Sequence, residues 1–575
     1  MTDSSAQPKN RRVAYFSMEI ALRPDLPTYA GGLGVLAGDM LRSGADLGVP
    51  MVAVTLVYRK GYIRQRLDSQ GNQHEEPAIW KPEEVLEPLT STVSLELAGR
   101  RVHIRAWRFT LTGIWGESVP VYLLDTALPE NDPADRSLTD YLYGGDNAYR
   151  LRQEAILGMG GVRMLSALGH TGIENYHLNE GHSALLALAL LEEQIGSARL
   201  GTATESDIQA VRRRCVFTTH TPVPAAFDKF PREVVDQVIG PDRAAALDVS
   251  GCCDSGALNM TYLALRFSHY INGVAMHHGE VSRSLFPNYP VRAITNGVHA
   301  VTWTSPKFQE LYDRHVPEWR KDNLYLRYVV GVPLEEIRQA HAGAKLALLA
   351  ALKQATGAEF DPAMMTIAFA RRATAYKRAD LLFTDLERLK SIALRVGQFQ
   401  VIFGGKAHPQ DLEGKNMIRM VFRAAEALRG IVNVVYVPDY DMRWAQLMTS
   451  GADLWLNTPH RPFEASGTSG MKAALNGVPS LSILDGWWIE GCVEGATGWA
   501  IGKDEDLPED HGLEAASLYD KLERVIVPLF YGRPRGFAEV MRCAIALNGS
   551  FFNTERMMEQ YLSNAYSGGS NHSRA

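Results

Sequence analysis

Two stretches of the 575-residue sequence carry residue types whose spacing could do chemistry. The first is Pro462-Phe463-Glu464-Ala465-Ser466-Gly467-Thr468-Ser469-Gly470-Met471-Lys472-Ala473-Ala474-Leu475-Asn476-Gly477. It predicts a loop turning into a short helix, capped by Thr468 or Ser469 and stopped by Gly477 with Pro479. Small residues at Ser466, Gly467 and Thr468 expose backbone N–H groups, and such a helix start holds anions because the dipole points the same way. Lys472 follows about one turn later, beside an apolar stripe of Met471, Ala474, Leu475 and Val478. Apolar surroundings lower an amine's pKa and favour a Schiff base with an aldehyde cofactor. A capped surface helix with a solvated lysine has the same spacing, so the motif alone leaves both readings open.

The second stretch is Arg371-Arg372-Ala373-Thr374-Ala375-Tyr376-Lys377-Arg378, four cations in eight residues with no acid among them. A solvated face is the common fate of such a run. Its place between a buried strand and a helix points instead to a phosphate pocket, where arginine binds bidentately and lysine as a point charge.

The elements needed to position these residues follow an αβ rhythm. An apolar strand over 13–17, the loop Ala30-Gly31-Gly32-Leu33-Gly34, a helix over 35–47 and a strand over 51–58 form a βαβ unit. The glycines permit close approach of a ligand ahead of a helix start, but their order is not that of a nicotinamide fingerprint. Alternating segments near 92–97, 102–109 and 119–124 predict antiparallel hairpins inserted between 59 and 150. Helices at 153–168, 183–194 and 261–269 then alternate with strands at 175–178, 215–219, 273–276 and 292–295. Around 303–306 the rhythm breaks into a helical, charged stretch to 359, which places a boundary between 1–305 and 306–575. A second series follows: strands at 366–370, 400–403, 432–437, 453–457 and 480–484, helices at 379–394, 413–428 and 442–450. Amphipathic segments near 515–529 and 539–562 should pack over the domain junction, and the tail after Ala565 reads as disordered.

Ligands of parallel sheets gather at the carboxyl ends of strands. Glu180 and His182, His220, Asn296, Arg371-Arg372 and the Lys472 loop all follow predicted strands. Two sheets facing each other would bring them together, although Glu180 and His182 read singly as satisfied loop groups. The net charge of -6 argues against electrostatic nucleic-acid binding. Five cysteines without a paired or zinc spacing, no apolar signal core and no run long enough to span a bilayer predict a soluble, cytoplasmic protein without a metal site.

In combination, AGGLG, HTPVPAAF, NGVHAVTW, ARRATAYKR, FGGKAHP and EASGTSGMKAALNG, in this order, resemble the glycogen/starch α-glucan phosphorylases, most closely their compact bacterial and archaeal branch. The resemblance runs from Tyr15 to about Gly498. It implies an α/β fold of the GT-B type, two Rossmann-like domains facing an interdomain cleft. It also implies pyridoxal 5′-phosphate on Lys472 and reversible, retaining phosphorolysis of α-1,4-glucan to glucose 1-phosphate, with homodimerisation common in the family. On that resemblance Thr468, Arg371, Lys377 and the backbone near Ser469 hold the cofactor phosphate, and Trp303 packs near the cofactor. Arg372, with the backbone of Gly32 and Leu33, holds the substrate phosphate. His220, Asn296, Tyr376, Glu464, Ser466 and Gly467 contact the glucosyl unit. Arg371 stands where animal phosphorylases carry lysine, and Ser469-Gly470 replaces their Gly-Asn; altered tuning is expected. Two alternatives share parts of this pattern: a glycogen-synthase-like transferase using a nucleotide sugar, and a glucan-binding relative without turnover.

Overall fold

The computed structural model describes residues 11–224, 227–254, 256–502 and 510–567. Buried apolar runs such as Val13–Ser17, Met51–Leu56 and Met365–Ala370 become strands covered on both faces, as parallel sheets require. The first sheet has nine strands in the order Val291–Ala293, Tyr270–Gly273, Cys215–Thr218, Asn175–Asn179, Val13–Ser17, Met51–Leu56, Ser118–Asp125, Arg100–Thr112, Glu87–Leu97. The first seven pair in parallel and the last two antiparallel. The hairpins expected between 59 and 150 therefore extend this same sheet, with Val121 in register with Ala53. Ala98 and Gly99, both at positive φ, make the tight turn between the outer two strands. A short hairpin, Arg64–Leu67 with Gln73–Glu76, carried no expectation from the sequence.

The second sheet is wholly parallel: Asn433–Val437, Phe399–Gly404, Met365–Ala370, Leu454–Asn457, Ser480–Ile483, Gly498–Ile501. The strand expected at 273–276 lies earlier, at Tyr270–Gly273, because Met276 already opens a helix, Met276–Leu285. The helix expected at 379–394 is shortened to Leu386–Arg395, its start fixed by Asp385 accepting from the Arg388 N–H. The long helix Leu334–Thr356 ends on Gly357 in the left-handed region.

Each sheet has a strand-order reversal beside its first strand. In the first, it lies at the pair Val13–Ser17 and Asn175–Asn179, and the inserted strands Glu87–Leu97, Arg100–Thr112 and Ser118–Asp125 run back inward from the far edge. In the second, the pair is Met365–Ala370 and Leu454–Asn457. A crevice opens beyond the carboxyl ends of strands at such a reversal.

The C-terminal helices divide between the sheets. Leu518, Leu522, Phe537 and Met541 join the core under the second sheet, whereas Met557, Met558 and Tyr561 join Tyr15, Leu36 and Leu41 in the core of the first. The crossing is tight: a Cβ on Gly297 would lie 2.1 Å from the Asn553 carbonyl, and Val298 bridges Asn553. The final segment thus packs on the core of the first sheet, and the helices before it on that of the second. Of the tail expected to be disordered, Tyr566 is placed, its hydroxyl 2.6 Å from His177 Nδ1; residues 568–575 lie outside the described residues.

Candidate functional site

The cation run leaves the second sheet at its strand-order reversal. Arg371 directly follows Met365–Ala370 and bonds Asn457 Oδ1, at the end of the neighbouring strand. Its guanidinium and the Lys377 amine, the latter at 2.7 Å, both pair with Glu464 Oε2. All three side chains are buried. Burial alone would raise the Glu464 carboxyl, but the two cations outweigh it and hold it at about 2. The acid missing from the eight-residue run is therefore supplied by the second motif. Arg378 takes no part, turning away to donate to the carbonyls of Thr458 and Pro459.

The lysine helix, Thr468–Ala474, is the short helix expected, but its start differs. Gly467 precedes it at φ 87° in the left-handed region, and no side chain caps it, so neither Thr468 nor Ser469 serves as cap. Ser469 Oγ instead accepts from the Trp455 indole at 3.2 Å. Glycine is required at 467 by that φ, and at 486 because a Cβ there would lie 2.5 Å from the Ser466 carbonyl.

Lys472 is buried, with its Nζ 4.0 Å from the centroid of Trp303. Burial lowers the amine to about 8, and Asp39 offsets this only in part. Asp39 accepts from the same indole, Trp303 Nε1, at 2.6 Å. Asn476, wholly buried, fixes the arrangement: its Nδ2 donates to the carbonyls of Trp303 (2.8 Å) and Lys472 (3.0 Å), and its Oδ1 accepts from Ser305 N at 2.7 Å. Ser466 Oγ is buried with no hydrogen-bond partner among the described residues.

Arg372 turns the other way, into the crevice, where it keeps accessible surface. It faces the glycine loop that starts helix α1, Gly32–Asp46. Of the three glycines, space explains Gly34 alone, and φ explains none of them. A Cβ on Gly31 would meet Arg372 Nη2 at 3.4 Å, one on Gly34 would lie 2.7 Å from Glu19 Oε2, and one on Gly32 would point into open space. Gly31, the residue that leads into α1, thus meets Arg372, and Asp39, about two turns further on, reaches Trp303 under Lys472. One helix of the first sheet touches both ends of the charged site.

The remaining predicted residues sit on the first sheet. His220 Nε2 lies 2.7 Å from Asn179 Oδ1, while its backbone N–H donates to Glu180 Oε2 at 2.7 Å. Burial, reinforced by neighbouring histidines, lowers the ring to about 3, so it is neutral. Glu180 is the satisfied loop group expected, also accepting from Thr221 Oγ1, and His182 pairs with Asp228 at 3.2 Å. Asn296 is buried, its carbonyl held by Arg556. Tyr376 carries Lys377 Nζ over its ring at 4.3 Å. Among the described residues, neither His220 nor Asn296 hydrogen-bonds or ion-pairs with Arg371, Arg372, Lys377 or Lys472.

Four residues of the site carried no expectation: Asp39, Asn476, Glu19 and Tyr143. Glu19 lies two residues past the end of Val13–Ser17, so the strand-end rule would have reached it. A cleft lined by Tyr62, Tyr141, Tyr143, His408 and Glu75 opens beside the site, and Tyr62 and Tyr143 are within electrostatic reach of Arg372.

Comparison with known proteins agrees with this geometry. The family model described as Carbohydrate phosphorylase matches residues 241–497. A maltodextrin phosphorylase of Thermococcus litoralis is 37% identical over 96% of this chain and 70% of its own length. Glycogen phosphorylases of Mycobacterium tuberculosis and Aquifex aeolicus are 37% and 35% identical, over 98% and 96% of this chain and 71% and 86% of theirs. With relatives of this identity matched over nearly the whole chain, the chain belongs to the carbohydrate phosphorylase family.

Proposed function

We propose that the chain is a pyridoxal-phosphate-dependent α-1,4-glucan phosphorylase of GT-B architecture, acting in the cytoplasm. Residues 1–305 and 306–575 form its two Rossmann-like domains and the crevice between the strand-order reversals is its active site. The observation that carries this reading is Lys472: a buried amine lowered to about 8, held on an indole face, on the same loop and helix as the acid that gathers two cations. The names of the relatives, maltodextrin phosphorylase and glycogen phosphorylase, support it.

The residues present fit the cofactor. An amine at about 8 is uncharged in part at neutral pH and able to condense with an aldehyde. Thr468, the backbone at Ser469, Arg371 and Lys377 would hold the phosphate, with Trp303 against the ring. When bound, the cofactor supplies a phosphate group that exchanges a proton with the substrate phosphate.

The chain's own residues do the rest. Arg372 holds inorganic phosphate against the N–H groups of Gly32 and Leu33, with an oxygen directed at the glycosidic bond. That phosphate gives its proton to the departing 4-oxygen and then attacks the sugar's C1 on the same face, releasing glucose 1-phosphate. Two phosphates in one pocket repel, and Arg371, Arg372 and Lys377 offset that repulsion. Glu464, Ser466, Gly467, Asn296 and Tyr376 bind the sugar hydroxyls, and the neutral His220, its Nε2–H donating to Asn179 Oδ1, leaves Nδ1 to accept from a hydroxyl without adding charge. The aromatic cleft at Tyr62 and Tyr143 admits the glucan chain.

The test is glucose 1-phosphate release from maltooligosaccharides and glycogen, with the absorption spectrum of the purified protein recorded first. Release that depends on phosphate, from protein carrying pyridoxal absorption, is expected. Glucosyl transfer from a nucleotide sugar, or glucan binding without turnover, would refute the reading.

A further inference from the structure

Glu19 is a buried carboxylate that the proposed reaction does not use. Its Oε2 accepts from Ala30 N at 2.6 Å and Gly31 N at 3.0 Å, and its Oε1 accepts from Tyr143 OH at 2.9 Å. It thereby takes two consecutive N–H groups of the glycine loop from behind, while Arg372 rests against Gly31 from the front. The glycine at 34 is what lets the carboxylate in, since a Cβ there would also lie 2.7 Å from Tyr29 Cβ. The tyrosine is anchored in turn: Arg150 lies 4.6 Å over its ring and is fixed by Glu154 at 2.9 Å and Asp228 at 3.3 Å.

The peptide geometry gives this arrangement a consequence. The first N–H groups of a helix have no partner within it. Two preceding N–H groups, Ala30 and Gly31, are spent on Glu19, and among the described residues no protein acceptor takes those of Gly32 or Leu33. Gly32 has open space where its Cβ would be. We propose that Glu19 is a positioning residue for phosphate: by binding Ala30 and Gly31 it aims the Gly32 and Leu33 N–H groups at an anion held by Arg372. Tyr143 holds the carboxylate in that orientation. This inference rests on the phosphorylase reading of the same site.

The experiment uses the holoenzyme and varies phosphate and maltooligosaccharide independently. Glu19→Asp withdraws the carboxylate by one methylene, about 1.5 Å, and Glu19→Ala removes it. Both should raise the KM for phosphate about tenfold, the loss of one to two hydrogen bonds, with the KM for glucan and the cofactor spectrum unchanged. Glu19→Gln should stay within about threefold of wild type, because the amide oxygen accepts both N–H groups and the amide nitrogen can donate to Tyr143 Oη. Tyr143→Phe should fall between them. Should Glu19→Ala fail to fold, Glu19→Asp and Tyr143→Phe carry the test. An unchanged phosphate KM in Glu19→Asp, or equal rises for phosphate and glucan, overturns the inference. If wild type releases no glucose 1-phosphate, the phosphorylase reading fails by itself. Calorimetric titration with inorganic phosphate then decides: weaker binding by Glu19→Asp upholds the positioning role and equal binding overturns it.

Discussion

Past the end of Met365–Ala370 the chain places charged side chains: Arg371 and Lys377 buried against Glu464, with Lys472 desolvated nearby. Past the end of Val13–Ser17 it places an inward carboxylate, Glu19, and outward backbone N–H groups. Of the other residues projected by the first sheet, His220 is neutral and Asn296 is a buried amide. The two strand-order reversals thus contribute differently: the second sheet concentrates charge, and the first supplies shape and fixed dipoles. Charge so concentrated is stable only if buried cations find acids, which Glu464 provides. Backbone donors need no counter-ion but must be held in place, and that is what Glu19 and α1 do.

The strongest test of this contrast is Lys472→Met. Activity and bound cofactor should be lost below detection, with far-ultraviolet circular dichroism unchanged. Stability should move the other way. A lysine lowered from 10.5 to about 8 in the fold binds fewer protons folded than unfolded between those values, so stability rises with pH there and the penalty is complete below about 8. At pH 7 the apoprotein should gain up to about 3 kcal/mol in urea unfolding, and the gain should vanish by pH about 10.5. No gain at pH 7 would mean that the amine is solvated.

Glu464→Gln comes next. The carboxyl is depressed from 4.5 to about 2, so its contribution, about 3 kcal/mol, is complete above pH 4.5 and is lost as pH falls towards 2. The variant should be destabilised at neutral pH, with two buried cations unpaired, and should lose less stability than wild type between those two values. Parallel acid-unfolding curves would place the ion pair outside the energetics of the fold.

How much of this was legible follows from the range over which each signal acts. Strands such as Met51–Leu56 and Phe399–Gly404 are buried on both faces and show as unbroken apolar runs. Arg371 and Lys472 were legible because each sits next to such punctuation in the chain. The pairing of the cation run was not: Glu464 is 87 residues beyond Lys377 and arrives from a different strand end. Trp303 and Asp39 are 264 apart, and Glu19 and Tyr143 are 124 apart. The helix start at Gly467 misled for a different reason. Thr468 and Ser469 have good capping chemistry, but the left-handed turn at Gly467 delivers the chain to the helix without using it.

Asn476→Ala separates holding from charging, with a smaller effect. It removes the amide that ties the lysine helix to the Trp303 segment, leaving Ser305 N and the Trp303 carbonyl without that partner. Each such loss costs about 1–3 kcal/mol. Urea unfolding should show a drop of about 2–4 kcal/mol, together with faster cofactor loss on dialysis. Normal cofactor retention would show that Lys472 is positioned by burial alone.

Gly32→Ala should have the smallest effect on the fold and the most selective one on function. Nothing lies within 4 Å of the added methyl, Gly32 has no positive φ, and alanine is the better helix residue by about 1 kcal/mol. Stability should therefore hold or rise slightly. The methyl would nonetheless occupy the open side of the N–H pair that faces Arg372, where the proposed phosphate sits. The KM for phosphate should rise several-fold while the KM for glucan and the melting temperature stay put. If glucan affinity fell instead, the glycine loop would belong to the sugar, and the backbone half of the comparison would have to be redrawn around Arg372 alone.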